Sequence, residues 1–276
     1  MMRDQGEPVD PNRPRSIFAY AYTSAVAVAI LSFGPLIVGG YVEFEGMREA
    51  QAGYLYSAEM TGYATSSLVV FALLSRLNWR YIVIAGLLTM LVANLATMLV
   101  HDYAALMNLR ILSGLGAGTL MIMTMVSISL SRDPDRGYGL WTSLQLLIGG
   151  MGLFVLPWLM PWFGLMAPFG IVVVLALPIV ALISAFPEKG TTNGNGNTPT
   201  SSGLLGVTGL CGIFVYYAGQ AAVWAYLERM GAVADISPET VGRALSLSLG
   251  LALVGALAAT TVAGGASSSK RSSNQC

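Results

Sequence analysis

The sequence predicts an all-α integral membrane protein built as a helical bundle. Three observations support this prediction. Hydrophobic residues make up 55% of the 276 residues, charged residues make up only 10%, and the mean hydropathy is +0.66. A soluble domain has about 25% charged residues, and one as apolar as this chain would expose large apolar patches and aggregate. We therefore expect the lipid bilayer to be the solvent of most of the chain.

Six apolar segments follow a polar N-terminal segment at residues 1–15. Each is long enough to cross a bilayer, which takes about 20 residues of helix. The predicted spans 1 to 6 are residues 16–40, 51–75, 81–100, 103–130, 137–160 and 167–186. Gly34 and Pro35 predict a bend in span 1, because proline removes a backbone donor and clashes with the preceding turn. Residues 16–186 are thus predicted to form one six-helix transmembrane bundle.

A second, shorter set of spans follows a polar segment. Residues 187–203 have no apolar periodicity and predict a flexible cytoplasmic linker. Residues 204–227 and 240–263 are predicted as spans 7 and 8, a partial second bundle. The sequence Ser-Pro-Glu at 237–239 predicts the start of a helix. Serine is a common N-cap residue, proline fits the first helical turn, and an acid is favoured near the positive N-terminal end of the helix dipole. Residues 264–276 are predicted as a polar cytoplasmic tail.

Basic residues near the span ends predict the orientation of the chain, because Lys and Arg are enriched in cytoplasmic loops. If residues 1–15 are cytoplasmic, ten basic residues lie on that side, namely Arg3, Arg13, Arg15, Arg76, Arg80, Arg132, Arg136, Lys189, Lys270 and Arg271. Only Arg48 and Arg229 lie on the other side, with Arg243 just inside span 8. We therefore expect a multi-pass protein of the plasma (inner) membrane whose N-terminus is cytoplasmic.

Composition and motifs exclude several classes of function. The formal net charge is zero, which gives no electrostatic basis for nucleic-acid binding. The two cysteines, Cys211 and Cys276, match no metal or redox spacing. The sequence has no phosphate-binding glycine loop, no nucleophile elbow and no His/Cys cluster. We therefore expect neither an enzyme nor a cofactor nor a metal site.

Two ionisable residues lie well inside the first six spans, Glu59 in span 2 and Arg110 in span 4. Both spans run inward from the outer side, and the two residues lie roughly 12 Å and 10 Å along them at 1.5 Å per residue. A charge at mid-bilayer costs about 2.5 to 3.5 kcal/mol, so we expect a Glu59–Arg110 pair or a shared polar cavity. Two interpretations stay open: an ion pair that only fixes helix packing, or a Glu59 that gains and loses a proton.

Span 7 contains a second group of candidates for ligand contact. Tyr216, Gln220 and Trp224 recur every four residues and therefore share one helix face. An aromatic face with one amide suits an aromatic or amphipathic ligand, and the alternative is an interfacial aromatic belt. Gln145 in span 5 is a weaker candidate on the cytoplasmic side.

Two local motifs are similar to those of the major facilitator superfamily. The span-4 segment LRILSGLGAGTLM, residues 109–121, matches the family's arginine-glycine helix at Arg110, Gly114, Gly116, Ala117 and Gly118. In the loop between spans 2 and 3, FALLSRLNWRY, the basic residues Arg76 and Arg80 are retained. Phe71, Ser75 and Asn78 stand where that family has glycine, aspartate and glycine. The resemblance covers residues 16–263.

The resemblance implies a bundle of that family's type that moves a small organic solute across the bilayer by alternating access. It implies that Glu59, Arg110 and Gln220 face the central cavity, that Asn94 packs between helices, and that the pair can couple transport to protons. Members have two six-helix bundles, so the spans resemble a transporter truncated after the eighth helix. We expect such a chain to insert but to transport poorly or not at all. A non-transporting assembly partner or sensor, or an inactive truncated fragment, is the alternative.

Overall fold

The computed structural model describes residues 10–189 and 203–273, and every regular element within them is helical. The helices are α1 (Pro14–Ser32), α2 (Gly34–Glu45), α3 (Glu49–Leu74), α4 (Trp79–Thr97), α5 (Tyr103–Ser129), α6 (Pro134–Phe163), α7 (Met166–Leu182), α8 (Gly203–Val233) and α9 (Pro238–Ser273). A short 3-10 turn, Ile183–Ala185, extends α7. The prediction of an all-α chain is confirmed for this part of the sequence.

Five of the described helices are long and apolar enough to cross a membrane: α1, α4, α5, α6 and α7 with its 3-10 extension. The helix α3, which covers most of the predicted span 2, is not among them, and this helix contains Glu49 and Glu59 besides several serines and threonines. The long helices α8 and α9 contain the predicted spans 7 and 8. The part of the chain that the structure describes is therefore all-helical, with five candidate membrane-spanning helices.

The predicted bend in span 1 is present as a break between two helices. The first helix, α1, ends at Ser32, and Phe33 links it to α2, which begins at Gly34 and Pro35. Proline has no backbone N–H to donate, so it fits the first turn of a new helix better than the middle of an old one. This second helix continues beyond the predicted end at residue 40 and stops at Gly46, whose φ of 64° is left-handed.

The second half of the chain agrees with the prediction at its helix start and differs from it at its end. The last helix begins at Pro238, and the Thr240 amide donates a hydrogen bond to the Ser237 hydroxyl at 3.4 Å, as the capping sequence predicts. It continues to Ser273 and so covers most of the segment 264–276 that was predicted as a polar tail. No proline interrupts that stretch of alanine, glycine and serine. The greater part of the predicted linker, residues 190–202, lies outside the described residues.

The central helix of the first six spans is α5, which lies between α3 and α4. Its glycines make both contacts close. A Cβ at Gly114 would strike the backbone carbonyl of Glu59 on α3, and a Cβ at Gly116 would strike the backbone of Gly86 and Met90 on α4. Small residues allow helices to approach closely in lipid. The motif glycines of α5, including Gly118 against Ser66 on α3, therefore set the distance between three helices.

The remaining helices surround this layer. The first helix packs against α5, α6 and α7, while α8 packs mainly against α2, and α9 against α6. The helices of the second half therefore lie directly on the first bundle. Large side chains such as Phe33, Phe169 and Leu120 are fully buried in the common core.

Of the two basic residues of the loop motif, Arg80 joins the start of α4 to the end of α7. Its Nη1 atom lies 2.8 Å from a carboxylate oxygen of Glu188, and its Nε donates to the carbonyl of Phe186 at 2.9 Å. The other basic residue, Arg76, is exposed after the end of α3. Arg80 therefore has a carboxylate partner, Glu188, which lies 108 positions further along the chain.

The glycine contacts predict that Gly114→Ala destabilises the protein. The added methyl group strikes the backbone of α3, which cannot rotate away as a side chain would, so overpacking should cost about 1 to 3 kcal/mol. We expect a lower midpoint of thermal unfolding for the variant purified in detergent. Gly250→Ala on α9 is the matched control, because nothing lies within 4 Å of its Cβ position, and it should leave the midpoint equal or higher. Equal midpoints for Gly114→Ala and the unmodified chain would contradict this account of the packing.

Candidate functional site

A buried cluster of polar side chains lies where α3, α4 and α5 meet. Its members are Glu59 from α3, Asn94 and Thr97 from α4, and Arg110 and Ser113 from α5, and we call these five residues the polar cluster. On α4, Asn94 and Thr97 are three positions apart, and so are Arg110 and Ser113 on α5. Residues at this spacing lie on the same face of a helix. The glycines of α5 bring the backbones of α3, α4 and α5 close together. The side chains of the polar cluster can therefore reach one another.

The centre of the polar cluster is the predicted ion pair. The Arg110 Nη1 atom donates to Glu59 Oε2 at 2.9 Å, and both side chains are only 2% exposed. The other carboxylate oxygen, Oε1, accepts from the Ser113 hydroxyl at 2.8 Å. Both oxygens of Glu59 are therefore hydrogen-bonded, as a buried carboxylate requires if it is to stay ionised.

The rest of the Arg110 guanidinium is held by α4 and α7. Its Nη2 donates to Asn94 Oδ1 at 3.2 Å and to Thr97 Oγ1 at 2.5 Å. Its plane lies over the ring of Phe169 on α7, with 4.4 Å from Cζ to the ring centroid, a cation–π contact. Only its Nε lacks a hydrogen-bond partner in the described structure.

The second layer of hydrogen bonds anchors the polar cluster to the backbone. Asn94 Nδ2 donates to the carbonyl of Met90 at 2.8 Å and to the Ser113 hydroxyl at 3.2 Å. The Thr97 hydroxyl donates to the carbonyl of Ala93 at 2.8 Å. The network is therefore almost completely satisfied within itself, and it fixes the rotation of α4 and α5 about their axes.

The break between α1 and α2 is a second polar position inside the bundle. Two side chains satisfy the carbonyl of Leu31 in the last turn of α1: the Tyr56 hydroxyl at 3.5 Å and the Trp224 indole N–H at 3.2 Å. The Tyr63 hydroxyl donates to the carbonyl of Ala27 one turn earlier. Trp224, which the sequence predicted as a ligand contact, thus links α8 to the broken span.

The other sequence-predicted residues lie away from the pair. Tyr216 and Gln220 are exposed on α8, and Tyr216 packs edge-on against Tyr217. Gln145 donates to the Ser24 hydroxyl at 2.8 Å between α6 and α1. The pair is enclosed by side chains from α3, α4, α5 and α7, whereas Gln220 lies exposed on α8.

Sequence reasoning missed three partners of the pair: Thr97, Ser113 and Phe169. The helical spacing contained a signal for the first two, since Ser113 follows Arg110 and Thr97 follows Asn94 by three residues. Asn94 was expected to pack between helices, and it does so while accepting from Arg110. Nothing in the sequence pattern indicated that Phe169 would cover the guanidinium.

Comparison with known proteins leaves the family undetermined. No protein-family model and no curated protein matches the chain. Within residues 10–189 and 203–273, no group of three His, Cys, Asp or Glu side chains can hold a metal ion. The polar cluster is therefore the feature of the described structure that bears most directly on function.

The closed network predicts strong coupling between Glu59 and Arg110. Arg110→Met should cost about 3 to 5 kcal/mol of unfolding free energy, because it leaves a buried carboxylate without its cation. The double variant Glu59→Met/Arg110→Met should be more stable than Arg110→Met alone, since an apolar pair replaces the ionic one. Reversible unfolding in mixed micelles measures both.

The ion pair between Arg229 and Glu49 provides the control for this cycle. Its N···O distance is 3.1 Å, similar to that of the buried pair, but its side chains are 23% and 53% exposed. Arg229→Met should therefore cost about 1 kcal/mol or less. The pair would not be coupled if the double variant lost as much unfolding free energy as Glu59→Met and Arg110→Met lose in sum.

Proposed function

We propose that this chain forms the transmembrane bundle of a secondary active transporter for a small organic solute, with Glu59 and Arg110 coupling transport to protons. The observation that supports the proposal is the buried ion pair in the polar cluster. Ionisable residues inside apolar spans are costly, and they commonly mark ion pathways and proton relays. The arginine-glycine helix that resembles the major facilitator superfamily adds to this support.

The geometry offers a simple coupling step. With Glu59 ionised, its carboxylate accepts from Arg110 and Ser113 and holds α3 against α5. A proton added to a Glu59 oxygen removes the negative charge, so the attraction between the two helices weakens while Asn94, Thr97 and Phe169 keep Arg110 in place. Two arrangements of α3 against α5 would then differ in their proton occupancy, which is the requirement for a proton-driven switch.

The break between α1 and α2 supports the same proposal. Transporters that work by alternating access commonly contain discontinuous helices near the site where solute and coupling ion bind. Here the side chains that satisfy the broken span come from α3 and α8, which belong to opposite halves of the chain. A change in the position of α3 would therefore alter the contact between the halves.

Transport by the full chain in proteoliposomes tests the proposal. An imposed pH gradient should drive measurable but slow uptake of at least one solute from a radiolabelled panel of amines, carboxylates and neutral sugars. Glu59→Gln should lower that proton-driven uptake about tenfold or more, in the range of typical coupling free energies, while membrane insertion stays normal. Glu188→Gln, the same chemical change at an exposed position outside the polar cluster, should leave uptake unchanged.

Two outcomes would contradict this function. Unchanged proton-driven uptake in Glu59→Gln would remove the coupling role of the pair and leave it a packing contact. No gradient-driven uptake of any member of the panel, in vesicles where the chain is inserted and folded, would favour the non-transporting assembly partner or sensor.

A further inference from the structure

A pocket lies at the end of the bundle farthest from Pro14, between α2 and α6 of the first six spans and α8 and α9 of the second half. Its volume is about 160 Å³. Three carboxylates line it, from Glu43, Glu228 and Glu239, together with apolar surface that includes Leu36 and Met160. We call this cavity the distal pocket.

The Glu228 carboxylate is the unusual member of the distal pocket. The residue is only 4% exposed, and its Oε2 atom has no hydrogen-bond partner in the described structure. Its side chain lies over the backbone of α2 at Gly39, where a Cβ would collide with the carboxylate. The absence of a side chain at Gly39 therefore allows an acid from α8 to lie against α2.

The nearest cation along the chain, Arg229, forms its ion pair with a different acid. Arg229 points to α3, where its guanidinium pairs with Glu49 at 3.1 Å. The other two charges in the distal pocket are acids, of which Glu43 is exposed and Glu239 is half-buried. A buried carboxylate without a partner is costly, so the distal pocket favours whatever brings a positive charge to Glu228.

We infer that the distal pocket binds the ammonium group of a small organic amine, with Glu228 as its counter-ion. The three acids do not form a group that can hold a metal ion, whereas an alkylammonium needs only one close carboxylate and an apolar wall for its carbon chain. The volume of about 160 Å³ leaves room for a small organic cation. Glu43 and Glu239 would attract cations to the entrance.

The distal pocket joins the two halves of the chain, and this position gives the site a consequence for transport. An amine bound between α2 and α8 would hold the halves together at this end, and its release would free them. Organic cations would then be the substrate class, a statement that rests on the proposed transport function, whereas binding itself does not.

Binding of n-butylammonium to the full chain in lipid nanodiscs tests the inference. A saturable rise of the thermal unfolding midpoint is expected with n-butylammonium chloride, and neither n-butanol, which is similar in size and neutral, nor sodium chloride should reproduce it. Glu228→Gln should raise the half-saturating concentration about tenfold or more, as expected for loss of a hydrogen bond to a charged group. Glu45→Gln is the matched control, since Glu45 lies on the same helix as Glu43 but pairs with His101 outside the distal pocket.

A second variant tests the site without removing the acid, so the test does not depend on whether Glu228→Gln folds. Gly39→Ala retains the acid but displaces its carboxylate, and it should weaken binding as well. Because Glu228→Gln removes a buried unpaired charge, its midpoint without amine should equal or exceed that of the unmodified chain. Equal responses to n-butanol and n-butylammonium, no saturable response, or unchanged binding in Glu228→Gln would overturn the inference.

The outcomes also separate this site from the transport function. Amine binding that depends on Glu228, in vesicles that show no gradient-driven uptake, would support the site and contradict transport. Proton-driven uptake of carboxylates or sugars by a chain that binds no n-butylammonium would support transport and overturn the amine site.

Discussion

The close contact between α3 and α5 is the constraint on which the rest of the structure depends. Gly114 leaves no room for a side chain against the backbone of Glu59, and Gly116 does the same against α4 on the opposite face of α5. These contacts bring Glu59 within hydrogen-bonding distance of Arg110. In a bilayer, where apolar surface gives little net drive for helices to associate, small residues and buried polar contacts supply the packing specificity.

Two buried carboxylates of this chain differ in the hydrogen bonds that their oxygens accept. Glu59 accepts hydrogen bonds at both oxygens, from Arg110 and Ser113, whereas Oε2 of Glu228 has no partner in the described residues. Each residue lies against a glycine, where a Cβ would collide with it: the backbone of Glu59 against Gly114, and the carboxylate of Glu228 against Gly39. A satisfied pair is suited to holding helices or exchanging a proton. An unsatisfied acid beside a cavity is suited to an external cation.

The sequence predicted the features that depend on position along a helix. Hydropathy located the helices, Gly34 and Pro35 located the break, and the rise per residue placed Glu59 and Arg110 at one depth. It did not predict that Phe169 covers the guanidinium, that Gln220 is exposed, or that Glu228 lies over Gly39. Those contacts depend on how each helix is rotated and which neighbour it meets, and a single sequence does not determine either.

The central claim is that Glu59 and Arg110 form a direct, enclosed ion pair in the membrane. Solid-state NMR on the full chain in lipid, with arginine labelled by ¹⁵N and glutamate by ¹³C, measures it directly. The account predicts a dipolar correlation between Arg110 Nη and Glu59 Cδ corresponding to a separation of about 4 Å or less, as hydrogen-bonded ion pairs require, and guanidinium protons that exchange slowly with water. The absence of that correlation, with rapidly exchanging Arg110 protons, would contradict it.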